Sequence, residues 1–548
     1  MTRVRGRIVL AVFAVLLAIV LGRFVQLQIV QHAYWLDRAR VSQERTIELP
    51  PQRGTILDRD GTVLAVDIKA MAIAVDGVNL TNPEAAITIL SEELALTRSE
   101  VAAKVTRESY FTWIDRHVEF DIAQRIRQRA EDADVYGLIT IDTWKRWYPQ
   151  GQLASNLIGF VGTDGAGLEG IELAYDEQLQ GTPQVVQVLE GADGRTYEAE
   201  VLEPGARGQD LTLTLDAGLQ FICEEEIRTG VSRFRALNGM IVVLDPHNGE
   251  VLAMAQDKGY DLNAFGTSTA DERRNLAVTY LFEPGSIFKV FTGLAALEAG
   301  VVEPSDTFNG NDGIEVSGHV MHNADNESYG NVTFGEIIEH SVNTGMIRVA
   351  QLLGEERFHA MLTSLGFGQL TEVGLPGEEF GILRAVGNWS GLALAATSIG
   401  QSVAVTGIQL ARAMSVVPSG GLLPWPTIVK TDEVPAPVRV CSRATAATML
   451  GLMRTVVESG TGTLAAVDGF AIAGKTGTAQ KAVSGQGYVE GKYTSLFAGI
   501  ITANAPDYVM LVVLDEVRSG PVSGGYTSGQ IFQRAATRLI AQERLSPY

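Results

Sequence analysis

The pattern of apolar and polar positions begins with an unbroken run. Ile8 to Gly22 (IVLAVFAVLLAIVLG) carries no charge, and Phe24, Val25 and Leu27 prolong it past Arg23. At about 1.5 Å per residue, such a run crosses the hydrocarbon layer of a bilayer if Arg23 snorkels to the far interface. Arg3, Arg5 and Arg7 precede it. The positive-inside rule then keeps residues 1–7 in the cytoplasm and sends the chain beyond the anchor, residues 8–27, to the extracytoplasmic side. No A-x-A-like cleavage site follows and GRFVQLQIVQ continues as an amphipathic helix, which favours an uncleaved anchor over a signal peptide.

From residue 66 to 145 helical and strand periods mix. Asn82-Pro83 opens a helix to about Leu94, Thr97 to Glu100 is a capping box for a second, and Asp121 to Asp132 makes a third. Tyr136 to Asp142 and Leu211 to Asp216 alternate as strands, and a domain boundary is expected near residue 220. Beyond it, Met240 to Leu244 and Glu250 to Ala255 form a hairpin about Asp245-Pro246-His247-Asn248-Gly249. Helical periods dominate from 284 to about 460. Strands return at Phe470 to Ala473, Ser495 to Thr502 and Tyr508 to Leu514. The last two are joined by Ala503 to Asp507, too short for anything but an antiparallel pair. Ser528, as a cap, opens a closing helix to Gln542. The expected fold class is mixed α/β (α+β).

Length and charge narrow the partners. With 548 residues and about 150 per domain, several packed units are expected. Lys and Arg number 43 against 64 Asp and Glu, a net charge of −21 with no basic tract, which argues against nucleic acid. The two cysteines, Cys223 and Cys441, form no C-x-x-C pair. The nearest histidines, His319 and His322, sit in a polar stretch that suggests no third ligand, so a loop is the better reading than a metal site.

Two chemical readings compete for one lysine. Gly469 to Thr476 fits the phosphate-loop pattern G-x-x-x-x-G-K-[ST], and VMLVVLDE at 509 to 516 fits a magnesium-holding strand. A phosphate loop needs a helix opening at its Lys-Thr. Here Phe-Ala-Ile-Ala reads as strand, and the residues after Thr478 are too rich in glycine for a helix. The other reading starts at Phe282-Glu283-Pro284-Gly285-Ser286-Ile287-Phe288-Lys289, where Ser286 opens an apolar helix with Lys289 on the same face. A serine needs a base to become a nucleophile, and a lysine serves if burial or a second cation keeps it neutral. Ser341-Val342-Asn343, within a helical stretch, and Lys475-Thr476-Gly477-Thr478, on a strand, follow in order.

Those motifs resemble the S-x-x-K, S-x-N and K-[TS]-G signatures of the penicillin-recognising serine transpeptidases. RGTILDRDGTVLA at 53 to 65, RWYPQGQLASNLIGFVG at 146 to 162, GLEGIE at 167 to 172 and the anchor extend the resemblance to class B, monofunctional penicillin-binding proteins over essentially the whole chain. The carboxyl end (IAGKTGTAQK, KYTSLFAGIITANAPDYVMLVVLDE, GGYTSGQIFQRA) is closer to the division type than to the elongation type. The resemblance implies an elongated pedestal over 28–220. A transpeptidase domain would follow over 221–545, with a central antiparallel sheet, flanking helices and a helical subdomain.

It also implies roles. Ser286 would attack the carbonyl between the last two D-alanines of a peptidoglycan stem peptide, with Lys289 as general base and Lys475 as the second charge that keeps it neutral. Ser341 would pass a proton to the leaving amine, and Asn343 would hold the substrate amide. Thr476 and Thr478 would bind the terminal carboxylate beside Lys475, with Gly477 leaving the strand edge clear. Backbone N–H groups of Ser286 and Thr478 would form the oxyanion hole. No metal or organic cofactor is implied. The implied partners are stem peptides, β-lactams as covalent inhibitors, a SEDS-type membrane glycosyltransferase and other divisome proteins, and the cytoplasmic membrane. A β-lactam sensor or β-lactam-hydrolysing enzyme uses similar motifs and stays open as an alternative.

Overall fold

The computed structural model of this chain describes residues 2–35, 44–106, 109, 111–190, 196–431, 433–483, 487–502, 508–543 and 545. Two compact units share the sequence. The first takes residues 1–54, 67–146 and 180–209, and the second takes 55–66, 147–179 and 210–548. Where the sequence pattern suggests one boundary near 220, the units instead interleave.

The first unit opens with α1 (Thr2–Val25), which continues to Val30 through a π-helical turn. Its apolar side chains point outward all round, Leu10 at 74% and Phe13 at 69% exposure. A helix apolar on every face finds its proper solvent in lipid, and Arg3–Val30 is long and apolar enough to cross a membrane. It is a candidate anchor. After it come β1 (Glu44–Leu49), β2 (Val63–Val75), α2 (Pro83–Glu93), α3 (Arg98–Lys104), β3 (Thr112–Glu119), α4 (Phe120–Asp132), β4 (Leu138–Trp147), β5 (Gln184–Glu190) and β6 (Thr196–Glu203). The helix starts follow their caps: Asn82 accepts from the Ala85 N–H ahead of Pro83, and Thr97 and Glu100 form a reciprocal capping box. Met71, Ile73 and Val75 of β2 pack on Ile87, Leu90 and Ile126. β1, β5 and β6 make a separate antiparallel sheet. The strand expected from Tyr136 starts at Leu138 instead, because Tyr136 exchanges backbone and side-chain hydrogen bonds with Thr81.

The second unit is built on α5 (Ala217–Phe234), β7 (Asn238–Leu244), β8 (Val251–Gln256), α6 (Lys289–Glu298), α7 (Phe334–Glu339), α8 (Asn343–Leu353), α9 (Arg443–Glu458), β9 (Ala471–Val483), β10 (Gly487–Thr502), β11 (Tyr508–Asp515) and α10 (Ser528–Gln542). Its sheet has the order β8-β7-β11-β10-β9, with every neighbouring pair antiparallel. Successive residues of β7 and β11 serve different cores. Ile241, Val243, Met510 and Val512 pack with Ile227 of α5 and Phe532 of α10, while Val242, Leu244, Leu511 and Val513 pack with Leu294 and Met346 of the helical block. A sheet covered on both faces needs apolar residues at every position, which is why these strands read as continuous runs.

Several expectations are corrected. Leu211 to Asp216 forms a strand only at Leu211–Thr212, since Leu213 N–H bonds Leu57 O and Thr214 N–H bonds Ile428 O, so the segment changes partner as it runs. The closing helix is preceded by Thr527, and Ser528 does not cap it; its hydroxyl donates to Ser495 O in the core. The Ala503 to Asp507 connection lies outside the described residues, though β10 and β11 are antiparallel. Cys223 and Cys441 are free thiols buried in different cores.

Phe532 is fully buried and its ring lies 4.9 Å from that of Phe497. Phe532→Ala is expected to destabilise this unit by about 3 to 5 kcal/mol through lost burial and an unfilled cavity, read as a shifted denaturation midpoint.

Candidate active site

Ser286 lies in a 3₁₀ turn, Gly285–Phe288, and Lys289 is the first residue of α6, so the serine precedes the helix it was expected to open. The tighter turn still sets residues three apart on one side. Gly285, at φ +53, donates its N–H to Gly400 O. On the other side the turn presses against β9: a Cβ on Gly477 would lie 2.9 Å from Pro284 O and 3.1 Å from Ile287. Gly477 is therefore glycine to admit the turn that bears Ser286, a different reason from the clear strand edge expected. The contact sets the Ser286 turn beside Thr478, whose carbonyl is 2.9 Å from a Cβ on Gly285.

Ser341-Val342-Asn343 does not lie within a helix. It forms the break between α7 and α8, with Ser341 at φ +61, a conformation that L-residues adopt at a cost. The break turns both side chains onto Lys289. Lys289 Nζ donates to Asn343 Oδ1 at 2.7 Å, Ser341 O at 2.5 Å and Ser341 Oγ at 3.1 Å. Lys475, on β9, reaches the same Ser341 Oγ at 3.0 Å. Both lysines are fully buried. Burial, reinforced by the charge of Lys475, holds Lys289 well below the usual lysine range, and burial alone brings Lys475 down to about 7. One hydroxyl thus joins two amines that resist protonation. A neutral amine has a lone pair, so these contacts can carry a proton in either direction.

The threonines of the strand divide. Thr476 is buried, its hydroxyl 2.8 Å from that of Thr461, whereas Thr478 is exposed and accepts the Gly524 N–H at 3.1 Å. That bond occupies the Thr478 oxygen and leaves its proton to point elsewhere. Gly469 to Thr476 runs into strand β9 and not into a helix, which removes the phosphate-loop reading.

Comparison with known proteins agrees with this layout. The penicillin-binding protein transpeptidase domain matches residues 239–537, and the penicillin-binding protein dimerisation domain matches residues 48–213. PenA of Neisseria gonorrhoeae, a probable peptidoglycan D,D-transpeptidase, is 32% identical over 538 residues, covering 96% of this chain and 91% of its own. The chain belongs to the class B penicillin-binding proteins. FtsI of Escherichia coli, a peptidoglycan D,D-transpeptidase, is 29% identical over 542 residues, covering 97% of this chain and 90% of its own. Among solved structures, penicillin-binding protein 3 of Mycobacterium tuberculosis, complexed with aztreonam, superposes with a TM-score of 0.71 at 28% identity over 91% of this chain and 98% of that one.

Around the motifs of this penicillin-binding protein lie residues that the sequence did not place in the site. Asn343 Nδ2 donates to His322 O. The next residue, Asn323, is buried and fully bonded: its Oδ1 accepts from Thr344 N–H and its Nδ2 donates to Gly310 O and Glu327 O. Asp312 takes the Asn323 N–H and His322 Nδ1, so this histidine braces the loop that holds Asn343. Glu283, Ser402 and Tyr488 form a second cluster. Only Glu283 had a signal, its place three residues before Ser286.

The lowered value at Lys475 sets a direction. Between about 7 and the ordinary lysine value of 10.5 the unfolded chain holds a proton that the folded chain lacks, so stability rises with pH in that window. Lys475→Met is expected to be more stable than the parent near pH 7, with the gap closing by about 1 kcal/mol per pH unit toward pH 9. Paired denaturation midpoints across this range check it, and a gap constant with pH contradicts it.

Proposed function

We propose that this protein cross-links peptidoglycan stem peptides through a serine acyl-enzyme at the division septum, and that β-lactams acylate the same serine. The observation that carries the reading is the meeting of two buried, easily deprotonated lysines on Ser341 Oγ beside the turn of Ser286. The Ser286 oxygen forms the acyl bond with the penultimate D-alanine carbonyl while the peptide C–N bond breaks, and Lys289 takes the serine proton. Ser341 relays a proton to the departing D-alanine amine. A second stem's amine then attacks the ester, forms the cross-link and returns Ser286 to its free hydroxyl. Backbone N–H groups of Ser286 and Thr478 hold the developing oxyanion. Lys475, Thr476 and Thr478 take the terminal carboxylate, and the remaining Asn343 amide hydrogen binds the substrate backbone.

The septal role is supported by the likeness of the carboxyl end to the division type and by the similarity to FtsI along nearly the whole chain. The arginines in the first two turns of α1, ahead of its apolar run, support a cytoplasmic amino terminus, with an anchor over 8–27 in the cytoplasmic membrane and the catalytic domain, 221–545, outside. The pedestal, 28–220, is the part offered to a SEDS-type glycosyltransferase and other divisome proteins.

Incubation of the full chain with benzylpenicillin is expected to add one drug mass to the intact protein, and Ser286→Ala is expected to show no adduct while keeping its denaturation midpoint. Hydrolysed drug with no adduct points instead to a β-lactamase-like enzyme. Labelling of the alanine variant removes Ser286 as nucleophile.

A further inference from the structure

Strand β9, which carries Lys475, and its partner β10 extend beyond the sheet. Among the described residues β10 pairs with β11 over Ser495–Ile501, yet it pairs with β9 out to Gly487. Residues 479–483 and 487–494 therefore form a two-stranded arm, and two strands alone are marginally stable. The arm is tied midway: Lys481 Nζ lies 2.9 Å from Asp515 and 3.1 Å from Glu516, and Lys492 lies 3.3 Å from Glu516. Its far end is tied differently. Tyr488, opposite Ala482, donates its hydroxyl to the Glu283 carboxylate, 3.0 and 3.1 Å from the two oxygens.

Glu283 belongs to the segment that leads into Ser286. It also accepts the Ser402 N–H at 2.8 Å, and the same stretch is pinned by Gly285 N–H to Gly400 O and by reciprocal bonds between Phe282 and Val405. One carboxylate thus joins the arm, the 400–405 segment and the approach to the nucleophile. Its oxygens are engaged with these partners, which suits a fastening better than the activation of a water.

The function proposed above, on which this step rests, sets the direction of the donor peptide. Its carboxylate lies at Lys475 and Thr476 and its scissile carbonyl at Thr478, so the residues before the scissile bond continue past Ala479 along the arm. We propose that Glu283 and Tyr488 are positioning residues for the donor stem peptide, their hydrogen bond holding the arm against the Ser286 segment so that the donor's wall exists before the donor arrives. Without the bond, donor binding has to order the arm, which weakens binding and leaves the arrangement of Ser286, Lys289 and Ser341 unchanged.

The test uses the full chain in detergent and a thioester analogue of an acyl-D-Ala-D-Ala donor with several stem residues before the scissile bond. Acylation is followed over donor concentration to separate the binding constant from the acylation rate constant. Tyr488→Phe is expected to weaken donor binding about tenfold, the size of one hydrogen bond to a carboxylate, with the rate constant changed less than about twofold. Glu283→Gln keeps an acceptor for Tyr488 and is expected to lose less than Glu283→Ala. Combining Tyr488→Phe with Glu283→Ala is expected to bind the donor no more weakly than Glu283→Ala alone, because the Tyr488–Glu283 bond is already lost in Glu283→Ala. Unchanged binding in Tyr488→Phe, an equal fall in the rate constant, or additive losses each overturn the proposal. A parent chain that the donor and benzylpenicillin both fail to acylate overturns the proposed function as well, and is told apart because the parent itself is inert.

Discussion

Two lysine side chains buried within reach of one hydroxyl set the terms for the rest of the catalytic unit. Charges removed from water are costly unless hydrogen bonds replace the solvent, and like charges side by side raise the cost further. Here Ser341 O, Ser341 Oγ and Asn343 Oδ1 receive Lys289, and Ser341 Oγ and Thr476 O receive Lys475. Those acceptors come from segments far apart in sequence. Ser341 sits in the left-handed region where it meets both lysines, and Lys475 reaches it from an edge strand.

Such a cluster needs a frame that does not yield. The five-stranded sheet supplies it, because both faces are buried and neighbouring residues of one strand pack into opposite cores. The sheet order places β9 at the edge, where one side of its backbone is not paired to another strand of the sheet. A strand edge is a natural place for a peptide to add. Close packing supports the edge from both sides, since a Cβ at Gly477 would strike the Ser286 turn and one at Gly524 would lie 2.4 Å from Gly477 O. The helical block does the same for Asn343, whose amide is held by Lys289 on one side and the His322 carbonyl on the other.

Local signals in the sequence were sufficient where the physics is local. The capping box at Thr97 and Glu100, the cap at Asn82, the hairpin turn from Asp245 to Gly249 and the charge-free run from Ile8 to Gly22 all depend on residues within a few positions of one another. The order of Ser286, Lys289, Ser341, Asn343 and Lys475 along the chain points to the family, because motif order is a property of the sequence alone. Where expectations shifted, a distant partner was responsible. The strand at Leu211 ends early because Ile428 O takes the Thr214 N–H, and Ser528 gives up capping because Ser495 O lies within its reach.

By itself the sequence determined the apolar N-terminal helix, the mixed α/β character, the antiparallel strand pairs and the three motifs, Ser286 to Lys289, Ser341 to Asn343 and Lys475 to Thr478, that mark the family. Only the tertiary structure decided that Lys289 and Lys475 converge on one oxygen, that Gly477 makes room for a turn, and that Glu283 fastens Tyr488. Helix caps and strand runs are specified by neighbours along the chain. Burial of a charge, close approach of two backbones and a hydrogen bond between Glu283 and Tyr488 are properties of space, and nothing in the local pattern at either residue records them.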